Sequence, residues 1–100
     1  MVHHLKILPE YFQAILDGAK TDELRQEDDR TFAVGDVLVL REWDRNEWQG
    51  EDGLMYRIGS GYTGRSLTRE VTYVLRDPDH RWLQPSVVAL SLRETEEAGQ

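Results

Sequence analysis

The segment Val37-Leu38-Val39-Leu40-Arg41-Glu42-Trp43 is the strongest strand signal in this chain. Its valines and its tryptophan fit a pleated surface well. The apolar run from Val37 to Leu40 is unbroken, which predicts a strand buried on both faces at that point. A tight turn, Val34-Gly35-Asp36, leads into it.

The other elements are read around that strand. His4 to Leu8 alternates loosely and predicts a first strand. Pro9 and Glu10 follow, and both suit the first turn of a helix. Phe12, Ile15, Leu16 and Ala19 then recur at helical spacing, with Gly18 at the position of a C-cap glycine. A short helix over 10–17 is predicted, covering one open end or one face of a barrel. Thr21 to Gln26 predicts a strand, and Glu27-Asp28-Asp29-Arg30 a charged turn. Asp44 to Tyr62 is polar and glycine-bearing, a loop with room for a short strand at Met55 to Ile58. Arg65 to Leu75 reads as a long strand, with Leu67, Val71, Tyr73 and Leu75 on one side and Thr72, Val74 and Arg76 on the other. A turn at Asp77-Pro78-Asp79-His80 precedes a last strand, Ser86 to Leu92. This order predicts an α+β, β-rich fold: a small closed or half-closed barrel of five to six strands with one or two short helices, which hides its sheet edges.

Composition narrows the function classes. One hundred residues make one domain, read as 1–93 with an acidic, frayed tail at 94–100. A core this small gives modest stability, so a monomer or a weak homodimer is expected. The chain has no cysteine, which excludes disulfides, thiolate metal sites and cysteine nucleophiles. The N-terminus has no apolar run of signal-peptide length, and no stretch approaches the roughly 20 apolar residues of a membrane span. A cytoplasmic protein with no membrane partner is expected. The net charge of −7 argues against long duplex DNA. It tolerates a nucleoside, a short strand, or a folded RNA touched at one spot. His3, His4 and His80, with Asp77 and Asp79, lack the spacing of a metal site, so neither metal nor cofactor is expected. Ser60, Ser66, Ser86 and Ser91 lack a nucleophile elbow. The run 59–64 lacks the ending of a phosphate-binding loop and reads as a hairpin loop.

The segment Gly18-Ala19-Lys20-Thr21-Asp22-Glu23-Leu24-Arg25 carries the functional signal. Lys20 stands where the helix hands over to a strand. Alternation then puts Thr21, Glu23 and Arg25 on one face. Such a cluster of cation, carboxylate and guanidinium can read a base edge or grip phosphate; it can equally be a surface ion pair. Among the aromatics, Trp43, Trp48, Tyr56 and Tyr62 offer stacking faces, while Trp82 reads as structural. Arg41, Arg57, Arg65 and Arg69 offer a phosphate-facing patch, with Arg65 the favoured second-site arginine and Arg69 read as solvated.

The pattern G-x-K-x-x-E-x-R is intact as Gly18, Lys20, Glu23 and Arg25. Around it stand the opening Leu5-Lys6-Ile7-Leu8-Pro9-Glu10-Tyr11-Phe12 and the central segments at 34–43 and 61–65. From His4 to about Leu92 the chain resembles the ASCH domain, a branch of the PUA-like β-barrel superfamily, and within it the small single-domain bacterial and phage members of uncharacterised function. The resemblance implies a barrel with a cleft beside the motif that binds RNA or nucleotides. Lys20, Thr21, Glu23 and Arg25 would line it, and Trp43, Tyr62 and Arg65 would complete it. Some small ASCH proteins are amidohydrolases that deacetylate acetylated cytidine, using a lysine, a threonine three positions later and a distant glutamate. Lys20 matches that lysine, Glu23 stands where the threonine would be, and no helical stretch between Asp77 and Ser86 supplies the glutamate. Hydrolysis of an acylated nucleoside is therefore the alternative reading, with Lys20 as activating base and Glu23 as acid–base group or orienter. A protein-interaction accessory domain is the third.

Overall fold

A computed structural model describes residues 1–45, 47–57 and 61–95; of 47–49 and 56–57 it describes the backbone alone. The elements run β1 (Val2–Ile7), α1 (Pro9–Leu16), β2 (Asp22–Gln26), β3 (Val37–Trp43), β4 (Glu47–Gln49), β5 (Met55–Arg57), β6 (Tyr62–Leu75) and β7 (Val87–Glu94). Five strands form one sheet in the order β1-β3-β6-β7-β2, while β4 and β5 pair with each other. The β1–β3 pair is parallel and the other pairs of the main sheet are antiparallel. The result is a half-barrel with one short helix, in keeping with a small α+β barrel-like fold. The expected short strand at 55–58 is present as β5, with Ile58 outside the described residues. No described helix is long and apolar enough to cross a membrane.

α1 carries the chain from one sheet edge, β1, to the other, β2. Pro9 starts it, and the amides of Tyr11 and Phe12 both donate to the Leu8 carbonyl. Its inward stripe, Phe12 and Ile15, is buried in one core cluster with Leu5, Ile7, Leu38, Leu40 and Leu90. Gly18 then turns the chain at φ +83°, a conformation that costs glycine little.

β3 is the centre of the core. Leu38 and Leu40 have no exposed surface, and Val37 and Val39 on the other face are half-buried. The both-face burial expected here is thus complete on one side and partial on the other. A core residue that periodicity did not identify, Phe32, is 1% exposed. It packs against the buried His3 ring, centroids 4.6 Å apart and ring planes inclined at 49°. His3 Nε2 lies 2.8 Å from Asp36 Oδ2, which also accepts the Ala33 amide. Glu27, in the expected charged turn, accepts the Phe32 amide and two Arg76 nitrogens. This stretch without regular structure is therefore tied down by two carboxylates.

β6 departs from the expected alternation. Its pairing with β7 slips at Thr72: Val71 faces Leu92, but Tyr73 faces Ser91. One extra residue on one strand of an antiparallel pair is a β-bulge. Leu67 and Val71 point inward as expected, but beyond the bulge it is Val74 that packs on the core. Tyr73 and Leu75 face out, 58% and 46% exposed. Trp82, read as structural, is 82% exposed.

Candidate functional site

β2 runs antiparallel to β7, with Glu23 opposite Leu90 and Arg25 opposite Val88. Leu90 and Val88 belong to the core face, so this register turns Glu23 and Arg25 inward at the rim of the sheet. Glu23 is buried, and it sits between two cations. Lys20 Nζ is 3.4 Å from Glu23 Oε1, and Arg25 Nε donates to Glu23 Oε2 at 2.7 Å. Lys20 is held from the other side by Asp22, through its carboxylate at 3.3 Å and its backbone carbonyl. The Lys20 amide donates to Ala14 O, which fixes the residue under the helix. Thr21 precedes the strand and is exposed; its carbonyl accepts the Leu92 amide.

Arg25 Nη2, itself 2.7 Å from Glu23 Oε2, also donates to the backbone carbonyl of Lys6 at 2.7 Å. β1 and β2 are the two edges of the sheet, so this bond spans the gap that backbone pairing leaves open. A cleft of about 420 Å³ lies there, lined among others by Lys6, Leu8, Tyr11, Lys20, Glu23 and Arg25. The expected cluster of Lys20, Glu23 and Arg25 is thus brought together beside a cleft.

Trp43 and Tyr62 also come together, but on the outer face. They are paired residues of β3 and β6. Lys6 Nζ lies 4.6 Å from the Trp43 ring centroid and 6.0 Å from that of Tyr62. The Arg41 guanidinium lies 4.0 Å from the Tyr62 centroid. These are cation–π distances. Gly61 permits the close approach, because a Cβ there would collide with the Trp43 indole. Lys6 joins both groups: its carbonyl takes the Arg25 guanidinium and its ammonium covers Trp43. Sequence reasoning did not assign Lys6 to the site. The alternation Leu5-Lys6-Ile7 signals an outward lysine, but only the parallel β1–β3 pairing sets it beside Arg41.

Arg65 joins neither group. Between the pairs Arg41–Ser66 and Trp43–Tyr62, β6 spends three residues, Thr63-Gly64-Arg65, opposite the single Glu42. Gly64 takes φ +93° there. The surplus lets Thr63 Oγ1 donate to Glu42 Oε1 at 2.6 Å while Arg65 forks onto Glu42 at 3.0 and 3.1 Å. The same guanidinium lies 4.6 Å from the Phe12 ring centroid. These bonds from Arg65 and Thr63 outweigh burial and hold the Glu42 carboxyl below its ordinary value; Glu42 in turn raises Arg65. Arg65 therefore clamps β3, β6 and α1 together. Arg69, read as solvated, is half-buried, with Nη1 bonded to Thr68 O and Nη2 3.5 Å from Ile15 O. Arg41, Arg65 and Arg69 do not gather into the single patch considered above, and the side chains of Trp48, Tyr56 and Arg57 lie outside the described residues.

Residues 2–92 match the family described as a domain of unknown function, DUF3850. The chain belongs to that family. This DUF3850 domain is also 30% identical, over 87 residues, to the "uncharacterized 12.9 kDa protein in GpA 3'region" of Escherichia phage P2. The match covers 87% of this chain and 64% of the phage protein.

Proposed function

We propose that this DUF3850 domain is an RNA- or nucleotide-binding module of the ASCH, PUA-like type. The observation that carries the reading is the junction at Lys6. On one side of it is the cleft with Lys20, Glu23 and Arg25; on the other are Trp43, Tyr62 and Arg41. Fixed cations answer phosphate, a carboxylate beside them answers base-edge donors, and aromatic faces answer bases. The half-barrel with one short helix is compatible with the PUA-like assignment. Lys6, Lys20, Arg25 and Arg41 gather here against Asp22 and Glu23, a small local excess of positive charge on a chain whose net charge is −7.

The test is titration of short single-stranded RNAs and nucleotides into wild type and Lys20→Ala. A loss of about tenfold or more in the variant is the expected result. No binding by either protein, or equal binding by both, defeats the proposal. Release of cytidine from acetylated cytidine would instead give the Lys20–Glu23 pair a catalytic role.

A further inference from the structure

A second cavity, of about 560 Å³, adjoins the first and is lined by Leu24, Arg25, Gln26, Trp82, Gln84 and their neighbours. Leu24 and Arg25 line both cavities. Each has a volume in the range of small-molecule sites. Leu24 is 57% exposed and Trp82 is 82% exposed, so the second cavity has open apolar surface.

The loop that presents Trp82 is built. Asp77 Oδ2 accepts the backbone amides of both Trp82 and Leu83. The His80 amide closes a turn onto the Asp77 carbonyl. His80 and Ser86 take positive φ, +53° and +67°, which non-glycine residues seldom adopt. These contacts hold a tryptophan outward when burial would be the ordinary outcome for it.

Resting on the nucleotide-binding reading above, we infer that the cleft continues past Arg25 to Trp82 and that its ligand is a single strand of at least two nucleotides. One base occupies the cleft at Lys20 and Glu23. The phosphodiester link passes Arg25, which lines both cavities. The next base stacks on Trp82, and its edge meets the amides of Gln26 and Gln84, each of which offers both a donor and an acceptor. A single nucleoside fills only one cavity. A duplex keeps its bases paired and unavailable for stacking on Trp82.

The test uses adenosine monophosphate, a four-residue oligoadenylate and a twelve-base-pair duplex RNA. Each is titrated into wild type, Trp82→Ala, Trp82→Phe and Lys20→Ala. The wild type binds the tetranucleotide about tenfold or more tighter than the mononucleotide, and tighter than the duplex. Trp82→Ala removes most of that advantage and Trp82→Phe restores part of it, while mononucleotide affinity is unchanged in both. Lys20→Ala weakens both single-stranded probes. If Trp82→Ala leaves tetranucleotide affinity within about twofold while Lys20→Ala lowers it, the extension to Trp82 is wrong and the cleft reading stands. If neither the mononucleotide nor the tetranucleotide binds wild type, both readings fall together.

Discussion

Glu42 is a carboxylate on the core face of β3, only 6% exposed, and every neighbour that makes this tolerable comes from β6. A buried charge of this kind persists because its partners are bonded to it. Its lowered pKa has a direct consequence for stability. Folding is favoured by the ionised form, so the contribution is complete above pH 4.5, the ordinary glutamate value, and is lost as pH falls through the lowered one. Glu27 and Asp36 act in the same direction. Burial pushes each up, but Arg76 and the Phe32 amide on Glu27, and His3 and the Ala33 amide on Asp36, more than offset it. Glu42→Gln is expected to cost about 1 kcal/mol at neutral pH. It is also expected to flatten part of the acid limb, leaving the share due to Glu27 and Asp36. Urea unfolding at a series of pH values from neutral to about pH 3 checks both statements; an acid limb as steep as wild type would contradict the assignment.

At the scale of elements, β6 is the strand with two irregularities, and each decides which side chain goes where. The first sets Thr63 and Arg65 on the same glutamate. The second, at Thr72, exchanges the faces of everything after Val71. Simple alternation places Tyr73 and Leu75 with the core, whereas the bulge puts Val74 there. The order of two substitutions follows. Val74→Asp is expected to cost about 2 kcal/mol, because a carboxylate without a partner enters the core boundary. Tyr73→Asp is expected to stay within about 0.5 kcal/mol, as for most surface changes. Thermal or urea denaturation of the two variants gives the comparison. A larger loss from Tyr73→Asp would mean that the strand runs without the bulge.

The whole molecule is a sheet that nearly closes. β1 and β2 are its edges, and each has a hydrogen-bonded neighbour on one side only. Unpaired strand edges are open to unwanted pairing. Here the Arg25 side chain bridges the gap to Lys6 O, and Glu23 holds its guanidinium in place. Arg25→Ala is expected to lower global stability by about 1 kcal/mol. Its more diagnostic effect is local: amide exchange in β1 and β2 should accelerate while β3 and β6 stay protected. Hydrogen-exchange mass spectrometry or NMR reads this directly, and uniform acceleration across all strands would argue against a closing role. Arg25→Lys is not expected to restore the wild-type pattern, since an ammonium cannot replace a planar fork that serves two acceptors.

Local chemistry was enough to place most elements and the charged cluster after the helix. The Val37–Trp43 strand, the helix opened by Pro9, the glycine after it and the Lys20–Glu23–Arg25 grouping all depend on residues close in sequence, whose propensities and spacing act at short range. What lay beyond reach depends on contacts between residues distant in the chain. Lys6 stands beside Trp43 because β1 pairs in parallel with β3, a choice that neither strand states alone. Arg65 reads locally as a second-site arginine that completes the cleft; only the register of β6 against β3 reveals that Glu42 takes it. Phe32 sits in a segment without periodicity, so nothing local marked it as core. Trp82 is an apolar residue that a short-range reading sends inward, and the Asp77-capped loop sends it out. Periodicity and turn chemistry determined the elements; strand register, fixed by long-range burial and pairing, decided which of their side chains meet.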